Sequence, residues 1–199
     1  MSTIADMQIQ QIVERVLNQV MGLPQQSTLP VATPSVAEIA PRSAALSGVR
    51  KIVAIGADHG GFELKETLKA DLSGMGMDVN DVGTYSKAAV DYPDYALEVA
   101  KQVSSGKAWR GIMIDGAGIG SCIVANKVPG VRAGMAYDYS SALNSREHND
   151  TNVLTLGAGL IGVNLAKQIV KTWLVTEFGG ERHARRLEKI SAVEKLYWK

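Results

Sequence analysis

Cysteine, phenylalanine and histidine are scarce in this 199-residue chain, with one, two and three copies respectively. The lone Cys122 cannot close an internal disulfide, and no CxxC pair or Cys/His cluster exists to hold a structural zinc. A reducing, cytoplasmic compartment fits that usage. Long apolar runs are missing too, none approaching the roughly 20 residues of a membrane helix. Charge of one sign is also lacking. The 21 Lys and Arg face 20 Asp and Glu, a formal net of +1, which argues against nucleic acid or a membrane surface recognised through bulk charge.

What is present divides into three zones. Residues 3–21 place Ile4, Met7, Ile9, Ile12, Val13, Val16, Leu17, Val20 and Met21 mostly three or four apart, the pattern of an amphipathic helix. Gly22 and Pro24 stop it. Residues 22–48 carry Pro24, Pro30, Pro34 and Pro41 among Ser, Thr, Ala and Gln, a linker with too little apolar surface to fold alone. From residue 49 to 199 the composition becomes that of a globular domain.

Within that domain apolar runs at 51–57, 77–82, 110–114, 131–136 and 153–156 read as strands. Between and after them, helices are expected at about 61–72, 92–103, 121–127, 139–146, 161–177 and 182–196. Alternating strand and helix predicts parallel strands joined by right-handed crossovers. The expected fold is α/β, a Rossmann-like, doubly wound, five-stranded parallel sheet in three α/β/α layers. In such sheets a crevice opens at the strand carboxyl ends where the winding reverses, commonly between strands 1 and 3 or 1 and 4.

The residues at those strand ends carry chemistry. Asp115-Gly116-Ala117-Gly118-Ile119-Gly120 follows the buried-type run Gly111–Ile114, and its glycines let several backbone N–H groups face one small pocket. Asp58-His59 ends strand 1 as Asp115 ends strand 3, so two carboxylates and an imidazole converge on one crevice. The plainer readings are that the glycines serve packing alone and that Asp58 and His59 cap the following helix.

Taken in order, Ala57-Asp58-His59-Gly60-Gly61, Val90-Asp91-Tyr92-Pro93-Asp94, Gly116-x-Gly118-Ile119-Gly120, Ala125-Asn126-Lys127, Arg146-x-His148-Asn149-Asp150-Thr151-Asn152 and Gly180-x-Arg182-His183-x-x-Arg186 resemble the type B ribose-5-phosphate isomerase family, with its allose- and galactose-6-phosphate isomerases. The resemblance runs from about residue 50 to 195. It implies metal-independent aldose–ketose isomerisation of a sugar phosphate, without a cofactor, through an enediolate. It also implies a homodimer or dimer of dimers whose sites are built by two subunits. By resemblance His148 is the ring-opening acid and Asn149 lines the sugar. Asp58 binds hydroxyls, and the N–H groups around Gly116, Gly118 and Gly120 hold the enediolate. Arg182 and Arg186, one turn apart, grip the phosphate with His59. Without the resemblance, His148 reads as a surface histidine, and the arginines read as a solvated face pairing with Glu181 and Glu188.

Three positions depart from the family pattern. The base is a cysteine in many members at the position of Asp115, and in others a glutamate aligned with Ser121. Here Asp115 is the candidate base, its competing role being to accept loop N–H bonds as a cap, with Cys122 as the fallback thiolate. Ala117 replaces a hydroxyl that helps ring opening, and Gly159 stands where pentose-phosphate enzymes often place an arginine. Ribose 5-phosphate to ribulose 5-phosphate is therefore the default pair, with another pentose, deoxy or hexose phosphate, or a non-catalytic binding protein, as alternatives. Residues 3–21, absent from ordinary members, resemble the encapsulation peptide that brings enzymes into bacterial microcompartments by docking on a shell protein or other cargo. A coiled-coil assembly helix and a leader peptide are the competing readings, the latter opposed by Asp6 and Glu14.

Overall fold

The computed structural model describes residues 51–197; the expected helix at 3–21 and linker at 22–48 lie outside the described residues. Five parallel strands form one sheet: β1 (Ile52–Ala57), β2 (Asp78–Asp81), β3 (Arg110–Asp115), β4 (Ala133–Met135) and β5 (Val153–Gly157). Their order is β2-β1-β3-β5-β4. The chain moves outward from β1 to β2, then crosses back to β3 on the other side, so the winding reverses between β1 and β3. The expected doubly wound sheet is the observed one.

The described residues also form six helices, α1 (Phe62–Gly74), α2 (Tyr92–Ser104), α3 (Ile119–Ala125), α4 (Tyr139–Glu147), α5 (Val163–Val175) and α6 (Glu181–Tyr197), of which the first five pack on the sheet. Strand side chains alternate between two cores, as a period of two requires. Ile112, Ile114, Leu154 and Leu156 meet Leu64, Leu68 and Leu72 of α1 and Ile169 and Trp173 of α5 on one face. Met113 and Val153 meet Val99, Ala100 and Val103 of α2 and Ala125 of α3 on the other. Each fully buried leucine contributes roughly 2–3 kcal/mol. The third layer is thus complete, and α6 adds only His183 to the buried residues.

Local signals set the element ends. Pro93 stands in the first turn of α2, where its missing N–H costs nothing. Asp138 and Ser141 form a reciprocal capping box at the start of α4. Gly61 cannot be replaced freely, because a Cβ there would lie 2.3 Å from the Ile114 carbonyl oxygen. That close approach seats the β1–α1 turn directly against the end of β3.

Candidate active site

The carboxyl ends of β1, β3 and β5 come together because their ladders are in register, with Ala57 beside Ile114 and Asp115 beside Gly157. Asp58 donates its backbone N–H to the Ile114 carbonyl at 3.1 Å. Its Oδ1 accepts the Gly61 N–H at 2.9 Å, which ties down the turn before α1. Its other carboxylate oxygen has no hydrogen bond among the described residues. The helix-tethering role and the crevice position therefore coexist in one side chain. His59 is exposed, and its Nδ1 lies 3.2 Å from the Val90 carbonyl oxygen and 3.3 Å from the Val90 nitrogen, donating to the first or accepting from the second according to tautomer.

Asp115, 4% exposed, organises the glycine loop. Oδ1 accepts the N–H of Ala117 at 2.8 Å and that of Gly118. Oδ2 accepts the Ser121 N–H at 3.3 Å and the Ser121 hydroxyl. A carboxylate has about four acceptor positions, and here all are filled. The consequence is selective. The Gly118 N–H, expected among the enediolate donors, is given to Asp115, whereas those of Gly116, Ile119 and Gly120 have no partner among the described residues. Gly118 adopts φ +79, the left-handed conformation open to glycine, and this turns the chain from β3 into α3. Space beside a Cβ at Gly116 is open. The Tyr92 ring packs against Gly120, its Cζ 2.4 Å from where a Cβ would stand, so no larger residue fits there without displacing the ring.

Cys122 does not stand as a ready nucleophile. Burial pushes its thiol up from the ordinary value, and its Sγ lies 3.5 Å from both the Ala133 carbonyl and the Asn126 amide. Gly159 donates its N–H to the Gly116 carbonyl at 3.0 Å, so it lies directly against the glycine loop.

An ion pair around a fully buried lysine ties α1 to β2. Lys65, fully buried, reaches both Asp81 oxygens at 2.6 and 2.7 Å, and Lys69 adds a third contact at 2.6 Å. Burial pushes the Asp81 carboxyl up, yet the hydrogen bonds from Lys65, Lys69 and the Gly83 N–H outweigh it and hold the group below its ordinary value. Gly83 and Thr84 then clasp Ala57 through two backbone bonds of 2.7 Å each.

The remaining expected residues form a second cluster at the opposite end of the sheet. His148 closes α4 just before β5 begins, whereas Asp115 stands beside the residue where β5 ends. Six residues of β3 at about 3.3 Å each separate those ends by roughly 20 Å. In the second cluster the His148 and His183 rings stack at 4.1 Å and 9°. Arg182 donates from Nε to His183 Nε2 at 3.2 Å, and Arg182, Arg186 and Asn149 are exposed. Asp150 bridges Arg132 and Arg146 at 2.7 Å each, fixing the turn that carries His148 and Asn149. Arg110, packed between Trp109 and Trp173, donates to the last carbonyls of α5 at 2.7 and 3.0 Å. Burial foremost, then the like charge of Arg146, brings its guanidinium down to about 10. Among the described residues no group of three or more His, Cys, Asp or Glu could hold a metal ion, and no helix is long and apolar enough to cross a membrane.

A doubly wound sheet with a glycine loop and two aspartates at its switch point defines the class of α/β proteins whose ligand site lies at the carboxyl ends of the strands. Residues 53–190 match the family described as Ribose/Galactose Isomerase, and the chain belongs to that family. It is 46% identical over 144 residues to ribose-5-phosphate isomerase B of Escherichia coli, covering 72% of this chain and 97% of the relative. It is 43% identical over 144 residues to the D-erythrulose-4-phosphate isomerase of Pectobacterium atrosepticum, covering 71% and 94%. The structure of Clostridium thermocellum ribose-5-phosphate isomerase B superposes with a TM-score of 0.72 at 49% identity, covering 73% of this chain and 99% of that one.

Proposed function

We propose that this family member interconverts an aldose phosphate and its ketose through an enediolate, with ribose 5-phosphate and ribulose 5-phosphate as the default pair. The observation that carries the reading is the set of N–H groups at Gly116, Ile119 and Gly120 that have no partner among the described residues, at the strand ends that also carry Asp58 and Asp115. Such donors stabilise an oxyanion that develops between them. Asp115 takes the C2 proton and returns it at C1. Three of its four donors are backbone N–H groups fixed by the loop. The fourth, the Ser121 hydroxyl, is a rotor and is the one that turns aside to free a lone pair. The fully occupied carboxylate also supports a second reading, in which Asp115 only shapes the loop.

Asp58 binds sugar hydroxyls, His148 is the ring-opening acid, and Asn149 lines the sugar. Arg182 and Arg186 with His59 hold the phosphate. Because the His148 cluster and the Asp115 loop occupy opposite ends of one chain, the working site joins two copies, as a homodimer or dimer of dimers. Exposed Ile119, Ile123 and Leu160, at 51%, 57% and 58%, give the glycine-loop rim an apolar surface for a second copy to cover. In deuterated water, turnover of ribose 5-phosphate is expected to carry solvent deuterium into the sugar at C1 or C2. Binding of sugar phosphates without exchange of any of them would leave a non-catalytic binding protein instead.

Residues 3–21 form an encapsulation helix in this reading, 22–48 its tether and 49–199 the catalytic domain. The apolar spacing of 3–21 and the proline-rich composition of 22–48 support the division. Deleting residues 1–21 is expected to leave turnover and melting temperature unchanged while abolishing co-localisation with shell proteins in fluorescence images. Unfolding of the truncated chain would mark the segment as part of the core.

A further inference from the structure

Resting on the isomerase reading, we propose that Asn144 is a positioning residue: its side-chain amide fixes which nitrogen of His148 carries the proton, so that the ring meets the sugar oxygen as an Nε2–H donor. Asn144 and His148 stand four residues apart on the same face of α4 and its cap. The Asn144 Nδ2 lies 2.8 Å from His148 Nδ1. An amide nitrogen only donates, so Nδ1 presents its lone pair and the neutral ring keeps its proton on Nε2. Nε2 has no partner among the described residues and is left for the substrate. The same bond stops the imidazole from turning over about its χ2 axis.

The surroundings hold the ring in that orientation. His183, 7% exposed, stacks beneath it, and its Nε2 accepts from Arg182, which makes His183 the Nδ1–H tautomer and neutral. Burial foremost, followed by the nearby His148, Arg182 and Arg186, keeps the His183 ring below its ordinary value. The lower ring of the stack therefore adds no positive charge under His148. Below the ring, Asp150 between Arg132 and Arg146 locks the backbone turn. Every contact of the His148 ring described here is thus one of orientation or tautomer, and Asn144, itself exposed, is the one that chooses the nitrogen.

The test is the imidazole ¹⁵N spectrum of the full chain, with wild type beside Asn144→Leu and Asn144→Asp. In wild type His148 is expected to show an unprotonated Nδ1 and a protonated Nε2. Asn144→Asp, which places an acceptor at Nδ1, is expected to move the proton there. For ribose 5-phosphate, Asn144→Leu is expected to lower kcat about tenfold, the size of one lost hydrogen bond, with KM changed less than about twofold. A wild-type His148 carrying its proton on Nδ1 with Nε2 bare would overturn the assignment. So would an Asn144→Leu chain with unaltered ring signals and wild-type kcat. Absence of isomerisation by the wild type refutes the isomerase reading alone, since the spectrum reports the tautomer without turnover.

Discussion

Asp115→Asn is expected to lose two to four orders of magnitude in turnover, the range for a positioned general base, while sugar-phosphate affinity stays within a few fold. The amide cannot take a proton from carbon. It also sets an NH₂ against loop donors that now reach a carboxylate. Loss of deuterium exchange with retained binding is the expected pattern, and exchange at the wild-type rate would return Asp115 to a purely shaping role. Mixing the variant with His148→Ala, then unfolding and refolding the two together, adds a second reading. With the proposed two-chain site, each mixed dimer would rebuild one intact site from the intact Asp115 of one chain and the intact His148 of the other. Random pairing makes half the dimers mixed, so about a quarter of wild-type activity is expected to return. Recovery at that level would also prove the Asp115→Asn subunit folded. No recovery would mean that one chain supplies both clusters.

Asp81→Ala carries the largest expected loss of stability. It strips the fully buried Lys65 of its two shortest contacts, and breaking a buried pair costs about 3–5 kcal/mol. Glu66 remains 3.1 Å from Lys65 and half exposed, so the lower figure, about 3 kcal/mol or a fall of roughly 10 °C in Tm, is the expected one. The pH window follows from the directions of the shifts. The Asp81 carboxyl lies below its ordinary 3.8 in the folded chain, so its contribution is complete above that value and disappears as pH falls through the depressed one. Lys69 lies above its ordinary 10.5, raised first by Asp81 and then by Glu66. Its share is therefore complete below 10.5 and disappears as pH rises through the raised value. The gap between wild type and variant is expected to be flat from pH 5 to 8 in thermal melts (limits chosen well inside roughly 4 and 10). A gap that closes near neutrality would point to a different group.

The strands that carry the crevice were the legible ones. β1, β3 and β5 lie inside the sheet, so their residues must be apolar on both faces, and runs such as Val53–Ala57 and Ile112–Ile114 stand out from the surrounding sequence. β4 pairs on one side only and keeps three residues, Ala133–Met135, of the expected 131–136. α3 begins at Ile119 rather than at 121, because Asp115 takes loop N–H groups that would otherwise have remained without partners before the helix. The candidate site was legible as residue types at strand ends. What stayed hidden was how those residues spend their hydrogen bonds. No spacing rule distinguishes an Asp115 with a free lone pair from one holding four donors, nor does it show Tyr92 packing against Gly120. Asn144 was overlooked because a lone amide four residues before a histidine has no pattern to distinguish it.

If the working site joins two copies, the length of strand that separates the Asp115 loop from the His148 cluster makes catalysis a matter of mass action. A chain alone in dilute solution would then hold two half-sets of tools that never meet, and crowding copies together would complete them. Confinement in a small volume would then do more than collect product: it would decide what fraction of the molecules work at all.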